Sequence, residues 1–338
     1  MKFDNRGTTP SLGGVDVKKN ATTKPHTHGR PITNSDMETL SVPTHRIRVD
    51  AESFFNDLWE LPAHATHNPS PTPVTLRRSD LKEWKPPFAT HLVSEKSDGE
   101  RVSILFGRTD DFKEESYTIL FRRNRETRVL PVSNVSDTLF DGTLLDGEWI
   151  GNHFRIFDVM AIAGFNKKEK PFPERLQCAK QFIKEFTPVG WTVDVKEFVP
   201  LRELSVLQTK IEAGDKGECD GLIFMPVEDS VTTGRAVNIK KWKPTWQNTI
   251  DLFHKNGTWM CVDNTGTLAP CPHIVMSGGT MKEGIFELKP FQRNGEIVWD
   301  IYAERKDKKV PNHISTIGKT FDTIRENITI EELRTCFK

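Results

Sequence analysis

Lys96-Ser97-Asp98-Gly99-Glu100-Arg101 is the stretch on which the reading of this chain turns. His91-Leu92-Val93-Ser94-Glu95 leads into it and Val102-Ser103-Ile104-Leu105-Phe106 leads out, and both segments read as strands. Asp98-Gly99 between two such runs is a short-range hairpin signal, because glycine tolerates φ > 0. The expectation is therefore a β-hairpin with Lys96 held at the rim of a sheet. A lysine amine is a nucleophile only when neutral, whereas its ordinary pKa is about 10.4. Burial or a neighbouring cation such as Arg101 has to lower that value if the residue is to react. A solvated hairpin lysine is the plainer reading, and the hexapeptide alone leaves both open.

Further segments follow in a fixed order, each a strand carrying polar groups that hydrophobic alternation does not require. Leu144-Leu145-Asp146-Gly147-Glu148-Trp149-Ile150 is followed by a Gly151-Asn152 turn and by Phe154-Arg155-Ile156-Phe157-Asp158-Val159-Met160. Asp146 and Glu148 lie two apart, so a strand presents both to one face. There they could hold a hard divalent cation or a ribose hydroxyl, or form a solvent-facing acidic edge. Asp220-Gly221-Leu222-Ile223-Phe224 places an acid at the start of an apolar strand. In Asn238-Ile239-Lys240-Lys241-Trp242-Lys243-Pro244, alternation sends Lys241 and Lys243 to one face and Lys240 and Trp242 to the other. Trp299-Asp300-Ile301-Tyr302-Ala303-Glu304-Arg305-Lys306-Asp307-Lys308 closes the series with a charge run that is weak by itself.

Taken in order, these segments resemble the motifs of the covalent nucleotidyltransferase superfamily, which comprises messenger-RNA capping guanylyltransferases and ATP-dependent DNA and RNA ligases. The resemblance implies that Lys96 attacks the α-phosphate of a nucleoside triphosphate, giving a lysyl-NMP phosphoamide and pyrophosphate. It further implies that Glu148 works at the ribose and metal side, that Phe157 stacks on the purine, and that Asp220 is the foremost metal ligand. Lys241 and Lys243 would hold the α-phosphate, Arg305 and Lys308 the β- and γ-phosphates, and Lys196, in Val195-Lys196-Glu197-Phe198-Val199-Pro200, would lie near the guanine. Arg101 completes the expected GTP-binding set. The chain departs from the family pattern at Glu100 and Trp149, with no evident effect on chemistry.

Lys241-Trp242-Lys243-Pro244 followed by Asn248-Thr249-Ile250-Asp251 is similar to the guanylyltransferase branch. Pro73-Val74-Thr75-Leu76 and Glu326-Asn327-Ile328-Thr329-Ile330-Glu331-Glu332-Leu333 are similar to the compact capping enzymes of large DNA viruses. The resemblance runs from about residue 70 to the C-terminus. It implies transfer of GMP from GTP to the 5′-diphosphate end of RNA to form a GpppN cap, with Mg²⁺ or Mn²⁺ as the divalent metal. An ATP-dependent DNA or RNA ligase and an inactive RNA-end-binding module are the alternatives. The RNA triphosphatase and cap methyltransferase that capping also needs are expected on other chains, since there is no Cys-x5-Arg phosphatase loop, and RNA polymerase is a possible partner.

Composition agrees with this reading. Lys plus Arg and Asp plus Glu both total 47 in 338 residues, so there is no global attraction to nucleic acid and RNA binding must come from a local cationic groove. Five cysteines, an odd number without a CxxC pair, speak for a reducing compartment and against a disulfide framework or structural zinc, with Cys261, Cys271 and His273 read as a loop coincidence. No apolar stretch reaches the roughly 18 residues of a membrane span, and no signal-peptide core is visible. The expected location is intracellular: nuclear if the source is a cell, and the host nucleus, cytoplasm or virion if it is a virus.

The fold class read here is α+β, namely a nucleotidyltransferase domain of the ATP-grasp-like ligase/capping type with antiparallel sheets and helices, plus a C-terminal OB-fold β-barrel. The limits are 1–45 for a disordered tail poor in large apolar residues, 46–247 for the nucleotidyltransferase domain, 248–314 for the OB-fold, and 315–338 for a helical end packed on one of the two domains. Helices are expected over 51–61 and 174–186. Turns are expected at Asn256-Gly257, Asn264-Thr265-Gly266, Gly278-Gly279 and Asn294-Gly295.

Overall fold

The computed structural model describes residues 35–84, 90–109, 115–280 and 282–338. The expected tail lies outside the described residues as far as 34. From Ser35 on the chain is built into the fold: Ser35–Glu38 is a helical turn and Met37 is buried in the core. The helix expected over 51–61 starts earlier, at His45–Leu58, with the Thr44 hydroxyl accepting from Ile47 N at its N-terminus.

The larger domain is two sheets. In one, strands lie in the order Thr72–Thr75, Arg235–Trp242, Cys219–Pro226, His91–Ser97 and Val199–Pro200. In the other, the order is Thr192–Val195, His153–Ile162, Thr143–Ile150, Glu100–Arg108, Ser116–Arg122 and Thr127–Val129. Pairing is antiparallel except that Thr72–Thr75 and Thr192–Val195 add in parallel at an edge. The second sheet is covered on both faces, which explains why Ile104, Leu105 and Phe106 are apolar without alternation. Val102, Ile104 and Phe106 meet the helix Phe172–Phe182 through Ala179 and Phe182, while Leu105 meets His45–Leu58 through Ala51 and Phe55.

The hairpin expected around Asp98-Gly99 does not form. His91–Ser97 pairs with Cys219–Pro226 and Val199–Pro200, whereas Glu100–Arg108 pairs with Ser116–Arg122 and Thr143–Ile150. The turn carries the chain from one sheet to the other. Glycine is required there for close approach: a Cβ at Gly99 would lie 2.6 Å from Trp149 O and 2.8 Å from Glu148 Cγ.

The smaller domain is a five-stranded antiparallel sheet in the order Leu268–Pro270, Thr258–Val262, Ile250–Lys255, Gly284–Arg293 and Glu296–Glu304. Trp299 N donates to Val275 O at 2.8 Å and Ser277 N to Trp299 O at 3.0 Å, so the segment following Leu268–Pro270 lies along the far edge and closes the sheet into a barrel of the OB type. Asn256-Gly257 and Asn294-Gly295 turn with φ of 49°, 77°, 53° and 81°, as a two-residue hairpin loop requires. The helical end packs on both domains rather than one. Ile317 and Ile324 of Ile314–Glu326 enter the barrel core beside Trp299, while Ile328, Leu333 and Phe337 pack with Trp84, Phe224 and Trp242 of the larger domain. Among the described residues no helix is long and apolar enough to cross a membrane.

Candidate active site

The two sheets face each other across a cleft of about 1010 Å³. The Gly99 turn brings Lys96 to one wall and Arg101 to the other, a few residues apart in sequence. Lys96, Arg101, Glu148, Phe157, Lys196, Lys241 and Lys243 line this cleft, and Arg305 of the barrel domain joins them.

Lys96 Nζ lies 3.0 Å from Asp220 Oδ1, and Lys243 Nζ lies 2.5 Å from Asp220 Oδ2. The backbone puts this carboxylate between two ammoniums. Gly221, opposite Lys96 in the strand register, has φ 158°, and a Cβ there would sit 1.9 Å from Trp242 O. Only glycine lets Cys219–Pro226 approach Arg235–Trp242 closely enough for Asp220 to reach Lys243. Lys240 points away and pairs with Asp80 at 2.8 Å, and the Trp242 indole, on the same side, donates to Ile328 O. Burial holds the Lys241 ammonium below its ordinary value, with repulsion from Lys243 and Lys96 adding to it.

Across the cleft, Asp146 and Glu148 do not stand as a carboxylate pair. Asp146 is fully buried and takes Arg101 in a two-pronged contact, Nε to Oδ1 at 3.0 Å and Nη2 to Oδ2 at 2.5 Å. A third guanidinium nitrogen donates to Pro71 O. Burial works against the Arg101 charge and Asp146 more than offsets it, so its pKa ends above the ordinary value. Asp146 therefore positions Arg101, which lies 5.0 Å from the Phe157 ring centroid, and Glu148 alone faces the cleft. Burial pushes the Glu148 carboxyl above its usual range, with Lys96, Lys196 and Arg101 pulling the other way.

At the floor, Lys196 Nζ donates to Ser97 Oγ at 2.9 Å and stands 3.7 Å from the buried Glu95. Burial depresses its pKa against the attraction of Glu95 and Glu148. Phe157, Phe198, Ile223, Met225 and Ile239 give the same cleft an apolar lining that suits a flat ring.

Arg305 is braced by Asp307, with contacts of 3.0 and 2.8 Å, and by Asp251 at 3.1 Å. The Asp307 hydrogen bonds hold its pKa above the ordinary value despite burial. Lys308 is not brought to the cleft: its Nζ is bound to the same Asp251. Two residues missed as actors thus emerge. Asp251 lies in the quoted run Asn248-Thr249-Ile250-Asp251, but its role depends on partners 54 and 57 positions later. Arg123, in the turn just after Ser116–Arg122, lines the cleft, while the preceding Arg122 is held by Glu100 at 2.7 and 2.9 Å.

Among the described residues no three His, Cys, Asp or Glu side chains are grouped to hold a metal ion. Asp220 Oδ1 is nevertheless buried beside the nucleophile candidate, with the Lys96 ammonium 3.0 Å away and no further hydrogen bond. A cation held by one or two carboxylates, taking its other ligands from substrate phosphates and water, fits this donor set.

Residues 32–245 match the family model described as mRNA capping enzyme, catalytic domain, and residues 233–334 match that described as mRNA capping enzyme, C-terminal domain. The chain is similar to the mRNA-capping enzyme subunit alpha of Neurospora crassa, 23% identical over 78% of this chain and 83% of that protein. It is also similar to the subunit alpha of Saccharomyces cerevisiae, 29% identical over 64% of this chain and 55% of that one. The mRNA-capping enzyme of Caenorhabditis elegans is 24% identical over 77% and 47%, so the chain spans about half the length of several relatives it matches. A solved structure from a study of Lig E DNA ligases aligns at TM-score 0.38 and 15% identity, covering 70% of this chain and 99% of that one.

Proposed function

The chain belongs to the mRNA capping enzyme family, and from that premise we propose that it is an mRNA guanylyltransferase working through a covalent lysyl-GMP. The observation that carries this reading is the convergence on one cleft of a lysine held by Asp220, two further lysines from a neighbouring strand, and an arginine delivered by the barrel domain.

In the first step the Lys96 ammonium gives up a proton, for which Asp220 Oδ1 at 3.0 Å is the acceptor in reach. Its nitrogen lone pair forms a bond to the α-phosphorus of GTP as the bond to the bridging β-phosphate oxygen breaks, and pyrophosphate leaves with that electron pair. Lys241 and Lys243 hold the α-phosphate oxygens, and Arg305 neutralises the charge gathering on the leaving group. Asp220 and Glu148 are the residues that would hold Mg²⁺ or Mn²⁺, which would supply further charge neutralisation at the phosphates. In the second step a β-phosphate oxygen of the RNA end attacks the same phosphorus. The P–N bond breaks, its electron pair returns to Lys96, and the nitrogen regains a proton.

Lys196 supports guanine over adenine. A buried ammonium can donate to the guanine O6 acceptor, but it meets a donor in the amino group at the same place on adenine. Phe157 offers a ring for the base, and Lys308 serves by bracing Asp251. The RNA triphosphatase and cap methyltransferase are placed on other chains, a reading to which the "subunit alpha" in the names of fungal relatives lends support.

The test is incubation of the full chain with α-labelled GTP or α-labelled ATP and Mg²⁺ or Mn²⁺, followed by denaturing electrophoresis, with Lys96→Ala alongside. An acid-labile band with GTP, absent from the variant, is the expected result. A band with ATP alone moves the chain to ligase chemistry, and an adduct on Lys96→Ala removes Lys96 from its role.

A further inference from the structure

Two aromatic side chains near the junction of the domains are about half exposed: Trp246 at 49% and Tyr302 at 48%. Both belong to surface where a ring is normally covered. Lys289 stands between them, its Nζ 3.6 Å from the Tyr302 centroid and 5.8 Å from that of Trp246. Phe291, 37% exposed, continues the same face of the strand Gly284–Arg293 two residues on. No carboxylate among the described residues lies within ion-pair distance of Lys289, so its charge is available to an incoming anion.

The chain ties this group to the reaction centre from two sides. Trp246 is three residues beyond Lys243 and Tyr302 three before Arg305, and both cations line the cleft. Three residues span about 10 Å at most, so the backbone of each ring lies within that reach of a residue that lines the cleft. None of these residues takes part in the chemistry at the α-phosphate.

We infer that Trp246, Lys289 and Tyr302 form a docking platform for single-stranded RNA, taking nucleotides beyond the first two while the 5′ end reaches the lysyl-GMP. The chemistry favours this occupant. Every base has a π-face, so stacking on exposed rings is sequence-tolerant, as an enzyme acting on many transcripts needs, and the lysine between the rings meets the backbone phosphate. In a chain of zero net charge the platform adds a cationic contact beyond those that line the cleft.

This inference rests on the guanylyltransferase reading, and two readouts separate them. In the first, fluorescence anisotropy measures the affinity of a labelled 12-nucleotide single-stranded RNA for the full chain, which needs no adduct. In the second, transfer from the preformed adduct is timed for a 5′-diphosphate dinucleotide and for the 12-mer. The expected result for the double variant Trp246→Ala, Tyr302→Ala is a loss of about tenfold per ring in 12-mer affinity. Its adduct formation and its transfer to the dinucleotide stay at the parent level. Phenylalanine at both positions should restore most of the affinity, and Lys289→Glu should weaken it on the intact rings. Unchanged 12-mer affinity in the alanine variant overturns the platform, as does a loss shared equally by the dinucleotide. A parent that binds the 12-mer through these rings yet forms no adduct with GTP overturns the enzyme reading instead.

Discussion

Lys241 is a buried cation whose charge the free cleft disfavours, and a bound phosphate reverses that. Burial first, and Lys243 and Lys96 after it, hold its value below 10.5. The unfolded chain therefore binds more protons between the depressed value and 10.5, so this residue makes stability rise with pH across that window. For ligand binding the sign is opposite, because phosphate needs the protonated form. In a Lys96→Ala chain, which keeps burial as the main cause and cannot react, GTP affinity should fall as pH rises through the depressed value. Adding Lys241→Arg should flatten the profile, since guanidinium stays charged. Titration calorimetry from pH 7 upward checks this, and an equal alkaline loss in the arginine variant would assign it to another group. Lys196→Met tests the floor: losing a charged donor should cost about 1.5–3 kcal/mol of GTP binding and narrow the preference over ATP, read as the ratio of adduct yields. Strand parity made Lys241 and Lys243 legible in the sequence. Parity left Asp146 open between a cleft acid and a solvent-facing edge, because it gives a face and says nothing of which cation has already claimed the carboxylate.

Glycine did different work in different turns, and that is where the reading of elements divided. Asn256-Gly257 and Asn294-Gly295 take positive φ at both residues and close true hairpins. Gly99 has no such angle. It is glycine because Thr143–Ile150 passes within 2.6 Å of its missing Cβ, and its flanking strands part into two sheets. A dipeptide signals a sharp change of direction, whereas the partner of each strand depends on edges supplied by residues far along the chain. That is why the strands themselves could be read and their pairing could not. Gly221 gives the strongest prediction at this scale. With φ 158° and a Cβ 1.9 Å from Trp242 O, Gly221→Ala must displace backbone that no rotamer change can relieve. The expected cost is about 3 kcal/mol or more, seen as a lower urea midpoint, and the shift should also part Asp220 from Lys243 and slow adduct formation. A stable Gly221→Ala chain with normal adduct rate would show that the two strands slide freely here.

At the scale of the whole molecule, the barrel domain contributes to the wall of the cleft. Arg305 and Asp307 line the same cleft as Lys96, and the terminal helices pin one core to the other, Ile317 and Ile324 below the barrel and Leu333 and Phe337 against the larger domain. An arginine carried by the second domain and braced by Asp251 and Asp307 can neutralise the outgoing pyrophosphate only while the domains are together. On the proposed mechanism the RNA end brings its own phosphates in after pyrophosphate has gone, which assigns this contact to loading and not to transfer. Arg305→Ala should accordingly slow adduct formation by about 10²-fold, the loss typical of one electrostatic stabiliser, and leave transfer from a preformed adduct near the parent rate. Asp251→Asn, which frees both Arg305 and Lys308 from a shared anchor, should move loading in the same direction by less. Rapid-quench measurement of the two half-reactions decides it, with the adduct accumulated first at high GTP over a long incubation. Equal slowing of both halves would mean that Arg305 only holds the domains in place, because a structural brace acts on either step, whereas a clamp on the leaving group has nothing to hold once pyrophosphate is gone.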